Sequence, residues 1–189
     1  MTRLLSLALP ALACLPPALA QPDDAKAKDT PAGKAVNGLQ LSLSTDTTEI
    51  EVKGGKRAAL RLTFTNVGDK PIKLNAYDFG WVLIRGEVKA TPPDSVESRR
   101  ASADRIPAPP KAADFPEIKP GKSWSFDMDL TFPGPVPQGG NVMAFYYVRK
   151  PGEFRIKFTY TSREIDDPLA KRAWTGELVS NEVTIKATK

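Results

Sequence analysis

Histidine is absent from the 189 residues, and the single cysteine, Cys14, falls within the first twenty. Without histidine there is no Ser/His/Asp triad, no imidazole metal ligand and no general base that titrates near neutrality. With Cys14 confined to a segment expected to be removed, the rest of the chain has no disulfide, no zinc thiolate and no thiol nucleophile. Any catalysis would fall to carboxylates or lysines. Long apolar runs are also missing: the longest, Leu4 to Leu15, is shorter than the roughly 20 residues that span a bilayer, so no transmembrane helix is expected. The 27 basic and 22 acidic residues are interleaved, with no Lys/Arg block to track a phosphate backbone, so nucleic acid is not an expected partner. No segment shows the period of a long amphipathic helix.

What is present begins with an export signal. Arg3, the apolar stretch and Pro16-Pro17-Ala18-Leu19-Ala20 form a basic start, a short hydrophobic core and a small-residue site. Residues 1–20 are therefore expected to be a signal peptide cleaved after Ala20, with a secreted or periplasmic product. Ala11-Leu12-Ala13-Cys14 resembles a bacterial lipobox, so a lipid anchor at Cys14 is the minor alternative. Residues 21–37, rich in Asp, Lys, Ala, Pro and Gly without an apolar period, are expected to be a flexible leader. Residues 38–189 are about the size of one domain with one core.

Within that domain the dominant signal is alternation with period two. Leu39, Leu41 and Leu43 alternate with polar residues, as do Leu60, Leu62 and Phe64, then Trp124, Phe126, Met128 and Leu130, then Phe154, Ile156, Phe158 and Tyr160. Ile50 and Val52, Ile72 and Leu74, Phe79 to Ile84, Val142 to Val148, and Val183 with Ile185 add shorter pieces. The 18 prolines and 13 glycines fall between these runs, in turns such as Gly54-Gly55, Asn66 to Pro71, Lys119 to Lys122 and Lys150 to Gly152. The pattern predicts an all-β, antiparallel sandwich of about seven to nine strands with long Pro-rich loops. Two segments read as such loops: 91–118, with its prolines and the polar string Ser95 to Arg105, and Gly134 to Asn141. In a sandwich the strand at Leu60 would lie beside the one at Trp124, bringing Arg61 near Asp127 or Asp129.

The order of pieces, with Leu60 to Thr65 running into Asn66-Val67-Gly68, then Lys119-Pro120-Gly121-Lys122 and Lys150-Pro151-Gly152-Glu153-Phe154, resembles exported bacterial immunoglobulin-like modules. Residues Leu60 to Ile156 are also loosely similar to BsuPI-type proteinase inhibitor domains. The resemblance implies an immunoglobulin-like fold. The loop motifs of the chagasin-type inhibitors are absent, since Asn66 is not followed by Pro-Thr-Thr-Gly.

Candidate sites are few. Asp127 and Asp129 alternate with core positions on one strand and read as a solvated face. Glu164, Asp166 and Asp167 could offer oxygens to calcium but lack regular ligand spacing and a turn glycine. Trp81 and Trp124 fall in phase with buried positions, whereas Trp174, after a charged loop and before Thr175-Gly176, reads equally as core edge or exposed contact. Loop residues Pro135, Pro137, Gln138 and Asn141 join Trp174 as expected partner contacts, because binding residues on sandwiches gather on end loops. The expectation is a non-enzymatic exported module, without cofactor or metal, that contacts a protein or cell-envelope component. A secreted proteinase inhibitor and a carbohydrate- or calcium-binding module are the alternatives.

Overall fold

The computed structural model describes residues 32–52, 57–77, 84–102, 109–131, 134–139, 142–164 and 166–189. Alternation decides the main strands. β1 (Leu39–Thr45) and β3 (Arg57–Asn66) bury every second residue, and β11 (Gly152–Ser162) buries Phe154, Ile156, Phe158 and Tyr160 while Arg155 points to solvent. The shorter elements are β2 (Glu49–Glu51), β4 (Ile72–Lys73), β5 (Ile84–Thr91), β6 (Val96–Ser102), β7 (Glu117–Ile118) and β8 (Ser123–Thr131). β9 (Gly134–Gly139), β10 (Val142–Val148), β12 (Gly176–Val179) and β13 (Val183–Thr188) complete the set, with two 3-10 turns at Pro93–Ser95 and Ala112–Asp114. Thirteen strand segments among the described residues exceed the seven to nine expected. The surplus comes from two-residue pieces and from polar segments that local alternation does not mark.

A small sheet has the order β1-β3-β8, and a large one the order β2-β13-β11-β5-β9-β10-β6, with β12 also on β11. All pairings are antiparallel except β13 with β2. The sheets meet face to face through Leu41, Leu62 and Phe64 on one side and Phe158, Tyr160 and Ile185 on the other, all fully buried. Each such side chain removed from water contributes about 1.5 to 3 kcal/mol. Trp124, Phe126 and Met128 are only half-buried against this core, because β8 is the edge of the small sheet.

Arg61 sits opposite Asp127 across β3 and β8, with Nε to Oδ1 at 2.6 Å and Nη2 to Oδ2 at 3.1 Å, while Asp129 falls opposite Ala59. Register therefore selects the first of the two acidic partners expected for Arg61. Both side chains are about half-exposed or more, so a double-mutant cycle with Arg61→Ala and Asp127→Ala is expected to give a coupling of about 0.2 to 1 kcal/mol. Hydrogen bonding to Arg61 holds the Asp127 carboxyl below its ordinary range. A depressed folded pKa means that the contribution is present above the unfolded value, near 4, and is lost as pH falls through the folded one. Urea unfolding at neutral pH and at about pH 2 checks this sign, with the coupling expected only at the former.

Three sequence expectations change. The ordered domain starts before residue 38, since Gly33 N–H donates to Leu41 O, Gln40 Nε2 donates to Gly33 O, and Val36 pairs with Leu39. Residues 33–37 thus belong to the sandwich and not to the leader. The segment 91–118 is largely built structure: it carries β6, β7 and both 3-10 turns, while 103–108 lies outside the described residues. The string Val96 to Ser102 becomes a strand because its backbone finds β10, which local composition does not announce. Finally, 134–139 is strand β9 and not a loop, paired with β10 from Gly139 opposite Val142 to Gly134 opposite Tyr146.

Candidate functional site

The end of the large sheet is built from β9, β10 and β6, and there the exposed chemistry gathers. Tyr147 on β10 lies opposite Glu97 on β6. Its ring has the Arg99 guanidinium 5.4 Å and the Arg149 guanidinium 5.7 Å from the centroid. Glu97 accepts from Arg99 Nε at 2.7 Å and from Arg149 Nε at 3.0 Å, so one carboxylate joins both cations beside one aromatic ring. Hydrogen bonds from Arg99, then Arg149, hold the Glu97 carboxyl below its ordinary range. Arg99 stays 65% exposed and Arg149 51%, which leaves guanidinium edges open to a partner. Lys150 pairs with Asp94 beside them, and Arg100 next to Arg99 is exposed with no ion-pair partner among the described residues.

None of these residues was singled out in the sequence. The signal was available only as Arg99-Arg100 in a polar string and as Tyr146-Tyr147 at the end of an apolar run. Which of the two tyrosines faces outward, and which arginines meet it, depends on the register between β6 and β10.

The residues expected to make contacts are dispersed. Trp174 is buried: its ring stacks on Tyr160 at 5.8 Å and its Nε1 donates to Val36 O at 3.2 Å. It belongs to the core edge, which withdraws it from the contact set. The local reason is Gly176, where φ is +146° and an added Cβ would stand 2.8 Å from the Trp174 ring, so the indole lies flat over a backbone without side chain. Pro135, Pro137 and Gln138 lie on β9 inside the sheet, between β5 and β10. Pro135 and Pro137 occupy alternate positions, so their missing N–H groups face one side, and among the described residues β9 meets β5 through the pair Arg85 with Gln138. Asn141 and Trp81 lie outside the described residues.

Farther along the large sheet other charges pair. Glu87 lies between Lys157 Nζ at 3.0 Å and Lys89 Nζ at 3.2 Å, and Arg155 reaches Glu153 at 3.5 Å. Hydrogen bonding to Lys157 lowers the Glu87 pKa. In the loop before β12, Asp167 accepts from Leu169 N–H at 2.7 Å, the bond of a turn and not of a ligand set. Among the described residues no three acidic side chains come together as a metal site would require. The strongly shifted interior group is Tyr160, whose pKa burial raises far above its ordinary value and whose hydroxyl donates to Asn75 O at 2.8 Å.

No family model matches the chain, and no curated protein does. Among solved structures, a chain described as "Copper-bound PCuAC domain from PmoF2" aligns over 82% of this chain and 95% of its own at 16% identity, with a TM-score of 0.20. A score that low does not establish a shared fold, and no helix among the described residues is long and apolar enough to cross a membrane.

Proposed function

We propose that the chain is an exported, non-enzymatic immunoglobulin-like module that binds a protein or cell-envelope component through the end of its large sheet. The Glu97, Arg99, Tyr147 and Arg149 cluster carries this reading. Arginine and tyrosine are the side chains that most often anchor interfaces, since they combine apolar area with fixed hydrogen-bonding edges. Here the two arginines stand exposed beside a half-buried tyrosine, oriented by one shared carboxylate. Farther along the sheet, Glu87 pairs with Lys89 and Lys157, and Arg155 with Glu153.

The test is affinity capture by residues 21–189 from envelope and secreted fractions, run beside a Tyr147→Ala, Arg149→Glu variant and read by mass spectrometry. Species held by the parent protein and lost from the variant are the expected result. Equal recovery by both proteins, or recovery of nothing, would place the contact elsewhere and reject the reading. A single protease held one-to-one by both proteins would instead favour an inhibitor acting through another surface.

A further inference from the structure

We infer that the open edge of β6 pairs with β6 of a second copy of this chain, in one register centred on Ser98. This rests on the reading of that end of the sheet as a contact surface, and it gives the open strand edge beside that surface a partner of its own. β6 is the last strand of the large sheet, and among the described residues nothing pairs with its far side. Arg149 N–H donates to Ser95 O at 2.8 Å, which makes Ser95 and Arg149 a hydrogen-bonded pair at the start of the ladder. Antiparallel ladders alternate, and Val96 lies opposite Val148 in continuous register, so Glu97, Arg99 and Ala101 direct their backbone groups to β10. Val96, Ser98 and Arg100 then turn their N–H and C=O groups to the open edge.

Two such edges meeting about a two-fold axis can pair only where outward-facing residues oppose one another, which leaves a short series of registers. Centring on Glu97 sets two carboxylates opposite each other. Centring on Arg99 or on Arg100 opposes two guanidiniums, and like charges directly opposite destabilise a pair. Centring on Ser98 is different: Glu97 of each copy then falls opposite Arg99 of the other, and Val96 falls opposite Arg100. Of these four registers, the one about Ser98 alone is self-complementary. Arg149, hydrogen-bonded to Glu97 within its own chain, keeps the carboxylate in place, while Arg99, which bonds that same carboxylate at 2.7 Å in the single chain, turns to the Glu97 that faces it across the edge. The pairs Ser98 with Ser98 and Val96 with Arg100, taken twice, supply about six main-chain hydrogen bonds and make one continuous sheet through both copies. The contact is narrow, so the dimer is expected to be reversible and to form as concentration rises.

Sedimentation velocity over a wide concentration series, on residues 21–189, tests the pairing. The parent protein is expected to shift from monomer to dimer. Arg99→Glu opposes Glu97 with a second carboxylate at two places and is expected to weaken the dimer about tenfold or more. Adding Glu97→Arg to that variant swaps the charges and restores self-association, although the doubly substituted chain should not pair with the parent. Ser98→Pro removes an outward N–H from an exposed edge position and should leave a folded monomer, with circular dichroism confirming the fold. A parent protein that stays monomeric throughout overturns the inference, as does a dimer insensitive to Arg99→Glu and Ser98→Pro. Binding of an acidic extended peptide to a persistently monomeric parent would also overturn it and give the edge to a foreign strand. If the monomeric Ser98→Pro protein still captures envelope species that Tyr147→Ala, Arg149→Glu loses, the contact-surface reading survives whatever the outcome for self-pairing.

Discussion

Replacing Phe64 by alanine is expected to lower the unfolding free energy by about 3 to 5 kcal/mol and the melting temperature by roughly 10 °C. Phe64 is fully buried on β3. Its ring meets Tyr160 of the facing sheet edge-on at 5.0 Å and 78°, and Trp124 of the neighbouring edge strand at 6.1 Å. One side chain therefore ties the small sheet to the large one and also seats β8 at its margin. Truncation loses the transfer energy of the ring and leaves a cavity that flanking strands, held by their ladders, close only in part. Val67→Ala, three residues after Phe64, just past the end of β3 and 52% exposed, is the matched control, expected within about 0.5 kcal/mol of the parent. Urea unfolding followed by tryptophan fluorescence compares them. Equal losses from the two substitutions would mean that the sheets do not share a core at this point.

Asn66→Ala should cost about 2 to 4 kcal/mol, far more than a turn residue normally would. The Asn66 side chain is fully buried at the end of β3. Its Nδ2 donates to Lys70 O and to Ile118 O, both at 2.8 Å, while its Oδ1 accepts from Gly68 N–H at 2.9 Å. Its backbone bonds Lys122 O and Gly121 N–H as well, so one residue joins the turn after β3, the strand β7 and the turn that starts β8. Alanine removes the side-chain partners of all three backbone groups at once. Asn66→Asp keeps the acceptor for Gly68 but sets a carboxylate against two carbonyl oxygens. Burial raises the folded pKa of such a group above its unfolded value, so its neutral form is favoured and can still donate one hydrogen bond. The deficit of this variant relative to the parent is therefore expected to be smallest at acid pH and to grow as pH rises through and beyond the ordinary aspartate range. Urea midpoints of parent and both variants between about pH 3 and pH 7 report it. A loss below about 1 kcal/mol for Asn66→Ala would show that solvent satisfies these groups.

How far each feature was legible follows from the range of the interaction behind it. The strands of the core could be read because alternation is a property of a few neighbouring residues, and burial on one face requires it. Arg61 and Asp127 could be narrowed to a pair because both lie on clearly alternating strands, although choosing Asp127 over Asp129 needed the register. β6 and β9 could not be read. Val96 to Ser102 is polar on both faces, and Gly134 to Gly139 carries two prolines, so neither has a local reason to be a strand until β10 offers its backbone. Asn66 was legible as a turn residue but not as a buried hub, since the carbonyl of Ile118 is remote in sequence.

The sequence by itself determined the all-β class, the period-two core, the positions of most turns and the lack of histidine and of cysteine beyond Cys14. These depend on composition and on nearest neighbours. Tertiary structure alone decided that Trp174 is buried over Gly176 and against Tyr160. It alone decided that Glu97, Arg99, Tyr147 and Arg149 share one exposed surface. Each of those outcomes depends on which strands pair and in what register, and a shift of one residue would turn every side chain of β6 to the opposite face.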